Sequence, residues 1–495
     1  MTDKVKKVMK ASFWLLAISW SSRVLSMFTV IILARNLDKH DFGILAGCFV
    51  VQGFFSAIAG MGSSNYLLRK KTIGADDINA AWTINFFSRM LMALLIFLLS
   101  DQAANFMRIP EIGLALKVMC LSVVFKSFLN PAINIKIKQL DYSKIALLEV
   151  SSKFASTLVS IAIILVYQSY WAVIIAEILY SFVYSFGSQF VVKHRLKLVK
   201  KNVEEQWNFS KWVLLKGIVS YIKAAFDKVI VSRNFSVGEL GLYNFSMESA
   251  STALQFVIIP LKSVLYSGLS EYIYDKPVLV DKVNKALLIL SCIYLPIVFG
   301  GIYLSELLVP IIFGSQWIEA ISMFDYFLAM TFAGMIVKVL TDVFTLTGKV
   351  QLQFYYETAT SLLFLVIMYI VANGSLDDLV TCRILIPYLM AILMTLTLQR
   401  IIPIKLIRLG ALFFIPAVSS TIMLVLLDLI QPLLMSYFNE VVVLIASIII
   451  GACFYAIGLL SLIFVLKNKV NEIDFIYKSF CLPFFIRVKS KLNLS

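Results

Sequence analysis

The chain has 495 residues, 60% of them hydrophobic and only 15% charged, with a mean hydropathy of +0.89. Soluble domains run near half apolar and a quarter charged, so a water-soluble enzyme or binding module is excluded. The net charge of +15 would fit a nucleic-acid partner, but its placement along the chain points elsewhere.

Apolar runs of bilayer-crossing length follow one another from end to end. In chain order they predict an all-α membrane protein of about fourteen spans, over 12–33, 42–67, 80–100, 112–133, 145–166, 170–192, 210–233, 240–265, 283–305, 319–346, 355–373, 381–399, 409–430 and 439–466. The first follows "KVKKVMK" (4–10), carries Arg23 in its middle and has no small-residue cleavage site after it, so it reads as an uncleaved helix. The longest loop, 192–210, leaves no room for a soluble domain.

With loops on alternating sides, "RKK" (69–71), "KIK" (136–138), "KHRLKLVKK" (193–201), "KLIR" (405–408) and the basic tail share the side of the N-terminus. By that topology about 28 of the 44 Lys and Arg lie on one side and about 5 on the other, the bias that marks a cytoplasmic face. Both termini are therefore expected in the cytoplasm, and the basic excess is an orientation signal that also suits anionic lipid heads.

The turn between the first two spans, "ILARNLDKHDFGIL" (32–45), returns without a gap 198 positions later as "IVSRNFSVGELGLY" (230–243), between the seventh and eighth. Arg35 falls on Arg233, Asp41 on Glu239 and Gly43 on Gly241. So long a period fits two homologous six-helix bundles, a transporter device in which the site lies between parallel repeats. The expected divisions are 1–200, 201–400, an added helix pair over 401–466 and a basic amphipathic tail over 467–495, broken at Pro483. The glycines permit tight turns, the carboxylates sit at helix N-termini, and the arginines lie near helix C-termini, where they can bind terminal carbonyls or help release an anion.

Several charges fall inside predicted spans, where each facing lipid costs roughly 2.5–3.5 kcal/mol. Lys223 and Asp227, Lys338 and Asp342, and Glu149 and Lys153 stand four apart, the spacing of an ion pair on one helix face. Arg23, Arg89 and Lys126, and likewise Glu177, Glu248 and Asp325, have no partner one turn away. Either they pair between helices or they line a watery cavity. Arg23 precedes Arg35 by twelve residues and Lys223 precedes Arg233 by ten. These intervals place both cations roughly 15–18 Å below the turns, near mid-bilayer. A cavity lined by Arg23, Arg89, Lys126 and Lys223 suits an anionic solute, phosphate above all.

The six cysteines sit singly and read as small hydrophobes, and His40 and His194 lack companion ligands, so no metal site is expected. Trp207, Trp212 and Trp317 fall at predicted interfaces. There is no Walker A sequence, H-E-x-x-H or G-x-S-x-G, and the outer loops are short for a membrane polymerase or glycosyltransferase. Catalysis is therefore not expected.

"ILARNLDKHDFGIL", "GMGSSNYLLRKK" (60–71), "FDKVIVSRNFSVGELGLYNFS" (226–246), "IIPLKSVLYSGLSEY" (258–272) and "VPIIFGSQW" (309–317), in this order and spacing, resemble the polysaccharide flippases. These are the Wzx and colanic-acid-exporter-like members of the multidrug/oligosaccharidyl-lipid/polysaccharide superfamily. The likeness covers the first ten spans; beyond about residue 350 it rests on hydropathy. It implies two six-helix lobes around a central cationic cavity, in the bacterial inner membrane. It further implies a substrate, undecaprenyl pyrophosphate carrying an oligosaccharide repeat unit, moved from the cytoplasmic to the periplasmic leaflet for O-antigen, capsule or exopolysaccharide assembly. Polymerase and chain-length proteins are the implied partners, with no cofactor. Proton or sodium coupling through Asp227, Glu248 or Asp325 fits a buried carboxylate that takes up a cation. A cation-coupled drug or metabolite exporter of the same superfamily and a flippase of the peptidoglycan-precursor lipid are the alternatives.

Overall fold

A computed structural model describes residues 3–60, 62–467, 471–478 and 482. The break expected at Pro483 and the cysteine at 481 lie outside them. The described residues form helices and turns and no strand. Fourteen long helices follow the predicted spans: α1 (Asp3–Asn36), α2 (Lys39–Ala59), α3 (Ala75–Met107), α4 (Ile112–Lys126), α5 (Ser143–Tyr167), α6 (Trp171–Val191), α7 (Val203–Asn234), α8 (Val237–Ser270), α9 (Lys276–Tyr303), α10 (Ile321–Leu346), α11 (Val350–Val371), α12 (Leu376–Leu398), α13 (Leu406–Tyr437) and α14 (Glu440–Leu466). Among the described residues, ten stretches are long and apolar enough to cross a membrane. Large side chains point outward along these helices, among them Phe190, Ile407 and Tyr437, each at least 80% exposed. A water-facing surface of this kind would associate; in a bilayer it meets acyl chains.

Local sequence explains where helices stop short of the predicted spans. The span 112–133 ends at Lys126, because Asn130 and Pro131 form a turn before a separate short helix, Ile133–Lys138. Asn130 fixes that turn by accepting the Ala132 N–H and donating to Gln189 and to the Val192 carbonyl. The span 42–67 breaks after Ala59; Gly62 takes a left-handed φ of 58° before the short helix Ser63–Arg69. Two further corrections concern side chains. Trp317 is fully buried and so is a core residue instead of an interfacial one, and Cys453 is exposed on α14.

The helices form two compact units. The first comprises Met1–Phe245 with Met368–Leu376. In it α5 packs along α6 and α1, α3 along α4, and α7 along α2 and α3. Helices in lipid gain nothing from leaving water, so close packing must hold them, and small residues permit it. Ser152, Ser156 and Ser160 recur at every fourth position of α5, and Ser181, Ser185 and Ser188 line one face of α6; all six are buried. Ser152, Ser156, Ser181 and Ser188 donate to carbonyls of their own helices, so closeness is gained with those hydroxyls satisfied. The second unit comprises Ser246–Ile367 with Asp377–Ser495. Its core clusters join α9, α13 and α14 through Leu288, Leu412, Ile415 and Ile463, and through Met423, Leu427 and Tyr455. Ile473, on the helix 471–476, adds to the first of these.

Candidate functional site: an intramembrane polar cluster and a paired turn

Within the first unit, α1, α5 and α6 enclose a cavity of about 400 Å³ with a polar wall. Ser22, Ser26 and Thr29 come from α1, Glu149, Lys153, Thr157 and Ser160 from α5, and Glu177 and Tyr180 from α6. The Tyr180 hydroxyl donates to Glu149 at 2.8 Å. Glu149 and Lys153, four apart, do not form the ion pair their spacing suggests; Lys153 pairs with no carboxylate among the described residues. The buried hydroxyl oxygens of Ser22 and Ser160 have no partner among the described residues. Leaving such groups unbonded costs about 1–3 kcal/mol each, so the wall is built to meet water or a polar solute.

Two of the predicted cations are tied in beside this cavity. The Lys126 ammonium lies 2.7 Å from the Glu177 carboxylate, a pair spanning α4 and α6. Arg89 on α3 donates to the backbone carbonyl of Lys126, at the C-terminal end of α4. That carbonyl also accepts the Leu129 N–H at 3.3 Å, and a cation there meets the negative end of the helix dipole. Arg23 is half-buried on α1 next to Ser22, and Lys223 is half-buried on α7. Asp227, one turn beyond Lys223, is fully buried and accepts the Tyr243 hydroxyl at 2.8 Å. In the second unit, Glu248 is exposed on α8, whereas Asp325 on α10 is half-buried with one carboxylate oxygen buried and unbonded.

The repeated turns meet each other. A Cβ placed on Gly43 would lie 2.0 Å from the Val237 carbonyl oxygen, and one on Gly241 would lie 1.8 Å from the Lys39 carbonyl oxygen. Lys39 and Val237 are themselves 198 positions apart, so the contact is its own image under the repeat. Phe42 packs edge-on against Phe245, with ring centroids 5.7 Å apart. The helix starts match too. Asp38 accepts the Asp41 N–H at 2.8 Å to cap α2. At the equivalent positions Ser236 and Glu239 form a reciprocal capping box on α8. Asp41 and Glu239 thus occupy first-turn positions that the dipole favours for acids. Arg35 is exposed. Arg233 donates to the Phe106 carbonyl at the end of α3 at 3.1 Å and lies 4.7 Å from the centre of the Phe106 ring. Lys126 and Glu177 take the pairing between helices that the sequence offered as one outcome, without naming the pair; the glycine contact was missed at the level of sequence, although the gapless repeat with its two glycines was a usable signal.

Comparison with known proteins bears on this arrangement. An "Uncharacterized membrane protein in cps region" of Klebsiella pneumoniae is 22% identical over 73% of this chain and 76% of its own length. "Lipopolysaccharide biosynthesis protein WzxC" of Escherichia coli (strain K12) is 22% identical over 59% of this chain. "Succinoglycan biosynthesis transport protein ExoT" of Rhizobium meliloti (strain 1021) is 22% identical over 64% of this chain. The matched stretches span 60% of WzxC and 65% of ExoT, less than two thirds of either. In fold the chain is similar to the lipid II flippase MurJ in an inward closed conformation, with a TM-score of 0.71 at 16% identity over 90% of this chain and 97% of MurJ. It is also similar to an inward-facing multidrug resistance MATE family transporter of the MOP superfamily, with a TM-score of 0.56 at 12% identity over 81% and 98% of the two chains. The architecture is thus that of the MurJ and MATE transporters, and since residues 32–322 match the family described as "Polysaccharide biosynthesis protein", the chain belongs to that family.

Proposed function

We propose that the protein is a flippase that moves undecaprenyl-pyrophosphate-linked oligosaccharide repeat units across the bacterial inner membrane for surface-polysaccharide assembly. The observation that carries the reading is a chain of this family with a hydroxyl- and charge-lined cavity inside a bundle whose outer surface is apolar. A lipid-linked glycan needs such a polar interior for its head while its tail stays in the bilayer. The name of the succinoglycan biosynthesis transport protein ExoT, and the "Putative O-antigen transporter" of Shigella flexneri at 23% identity, support transport over catalysis. The pyrophosphate is assigned to the cationic set Arg23, Arg89, Lys126 and Lys223. The basic end, with Lys70, Lys138 and Lys201, is assigned to the cytoplasm together with both termini, and the repeated turns to the periplasm. Proton or sodium coupling is assigned to Asp227, Glu248 or Asp325, and polymerase and chain-length proteins are the proposed partners.

The test is leaflet accessibility of the lipid-linked repeat unit in proteoliposomes, with Arg23→Ala and Lys223→Ala alongside. Wild type should expose glycan to an external lectin above the level of empty liposomes, and both variants should lose most of this. No exposure, even with an imposed proton or sodium gradient, would overturn the reading and favour small-molecule export. The unbonded oxygen of Asp325 is the observation favouring that second, cation-coupled reading.

A further inference from the structure

At the end of the first unit that carries the repeated turns, α3 and α7 finish side by side and exchange arginines. Arg108, in a left-handed conformation at the end of α3, donates Nη1 to the Arg233 carbonyl at 2.7 Å. Arg233 returns the bond to the Phe106 carbonyl and stacks on the Phe106 ring. Two guanidinium groups are thereby anchored at adjoining helix ends, Arg108 exposed and Arg233 partly so, each with one nitrogen spent on backbone. Neither pairs with a carboxylate among the described residues. Like charges placed together without a counter-ion repel, and two guanidiniums with donors to spare match a doubly charged phosphate group.

A groove of about 520 Å³ opens alongside them between α2, α3 and α7. Its walls include Phe54, Leu99, Ala103, Phe106 and Ile222. Gln102 and Tyr221 bring the polar side-chain atoms of the lining, and the Tyr221 hydroxyl is already bonded to the Val50 carbonyl at 2.7 Å. Phe106 belongs to both features, as a wall of the groove and as the platform under Arg233.

We propose that this is a binding site for a polyprenyl diphosphate lipid, with its head on Arg108 and Arg233 and the first part of its chain in the groove. The proposal rests on the flippase reading for the identity of the lipid, and makes the site a holding position in the receiving leaflet. Charge selects the occupant. A diphosphate neutralises both arginines, whereas the single phosphodiester of a bilayer phospholipid neutralises one.

The test is lipid retention by the purified full-length protein, measured by native mass spectrometry with undecaprenyl diphosphate, undecaprenol, phosphatidylglycerol and inorganic pyrophosphate as probes. Wild type should hold undecaprenyl diphosphate at least about ten-fold more tightly than the other three. Arg108→Gln should weaken it about ten-fold, Arg108→Lys less. Ala103→Trp, which fills the groove and leaves the arginines in place, should displace the lipid. Equal retention of undecaprenol or phosphatidylglycerol would overturn the headgroup assignment, equal affinity for inorganic pyrophosphate would overturn the groove, and unchanged binding in Arg108→Gln and Ala103→Trp would overturn the site. Because retention requires no transport, a protein that binds but does not flip refutes the flippase reading alone. One that flips with no selective retention refutes only this site.

Discussion

The two ends of the first unit are held in different ways. At the basic end, lysines meet carboxylates. Lys70 bonds both Asp77 and Glu205, Lys201 meets Asp76 at 2.5 Å, and Lys136 meets Asp141 at 2.9 Å. At the turn end one such pair, Lys117 with Asp101 at 2.8 Å, stands beside arginines that bond carbonyls and two glycines that press on backbone. Ion pairs near water tolerate small shifts, are screened by salt and contribute little individually. A glycine against a carbonyl works only at one separation, and any side chain added there forces the elements apart. The basic end is therefore a compliant fastening, and the turn end is a fit that either closes or does not.

Breaking the turn end should give the largest effect. Gly241→Val and Gly43→Val each place a Cβ within contact distance of a backbone oxygen, which cannot swing away. Each should cost about 1–3 kcal/mol, the range for overpacking, read as a fall in melting temperature in detergent. Because both act on one contact, the double variant should lose clearly less than the sum of the two singles. Full additivity would show that the two glycines serve separate purposes.

Next in size is the cross-helix pair beside the cavity. Lys126→Met should strand Glu177 and cost about 1–3 kcal/mol, and adding Glu177→Gln should recover part of that loss. The same melting experiment reads both, and a double variant worse than Lys126→Met would refute the pairing. At the basic end, Lys70→Ala should cost only about 0.2–1 kcal/mol, and the loss should shrink as salt rises. A large, salt-independent loss would erase the contrast between the two ends.

The smallest effect belongs to the helix 471–476 in the second unit. Burial alone would raise the Glu472 carboxyl, but the two bonds from Arg408, at 2.5 and 3.2 Å, outweigh it and hold the group below its ordinary value. A lowered carboxylate value means that this contribution is present above the unfolded value of about 4.5 and is lost as pH falls through the lowered one. Limited proteolysis after Lys467 should therefore be slow at pH 7 and faster in acid below the ordinary carboxylate range, and Arg408→Gln should be fast at both.

The helices were legible because a bilayer imposes a length and a polarity that each span must satisfy alone. The repeated turns were legible because both copies kept their chemistry. The pairing of Lys126 with Glu177 was not, since the residues are 51 positions apart and their meeting depends on how α4 lies along α6. The hydroxyl wall was equally hidden. Ser156 and Ser160 are spaced at four like many small residues on membrane helices, and only the fold shows which side of α5 faces a cavity. Local breaks were the hardest to place, as at Asn130, where a side chain replaces helix bonds in a stretch whose hydropathy does not change.

The glycine contact carries a further consequence. Lys39 touches Gly241 and Val237 touches Gly43, so the surface reads the same from either copy. That is the signature of a twofold interface, in which one patch serves as both faces. Two separate half-length chains, each with a single such turn, would make this contact in duplicate. Within one chain each copy can change alone, as where Lys39 in one turn stands at the position that Val237 takes in the other.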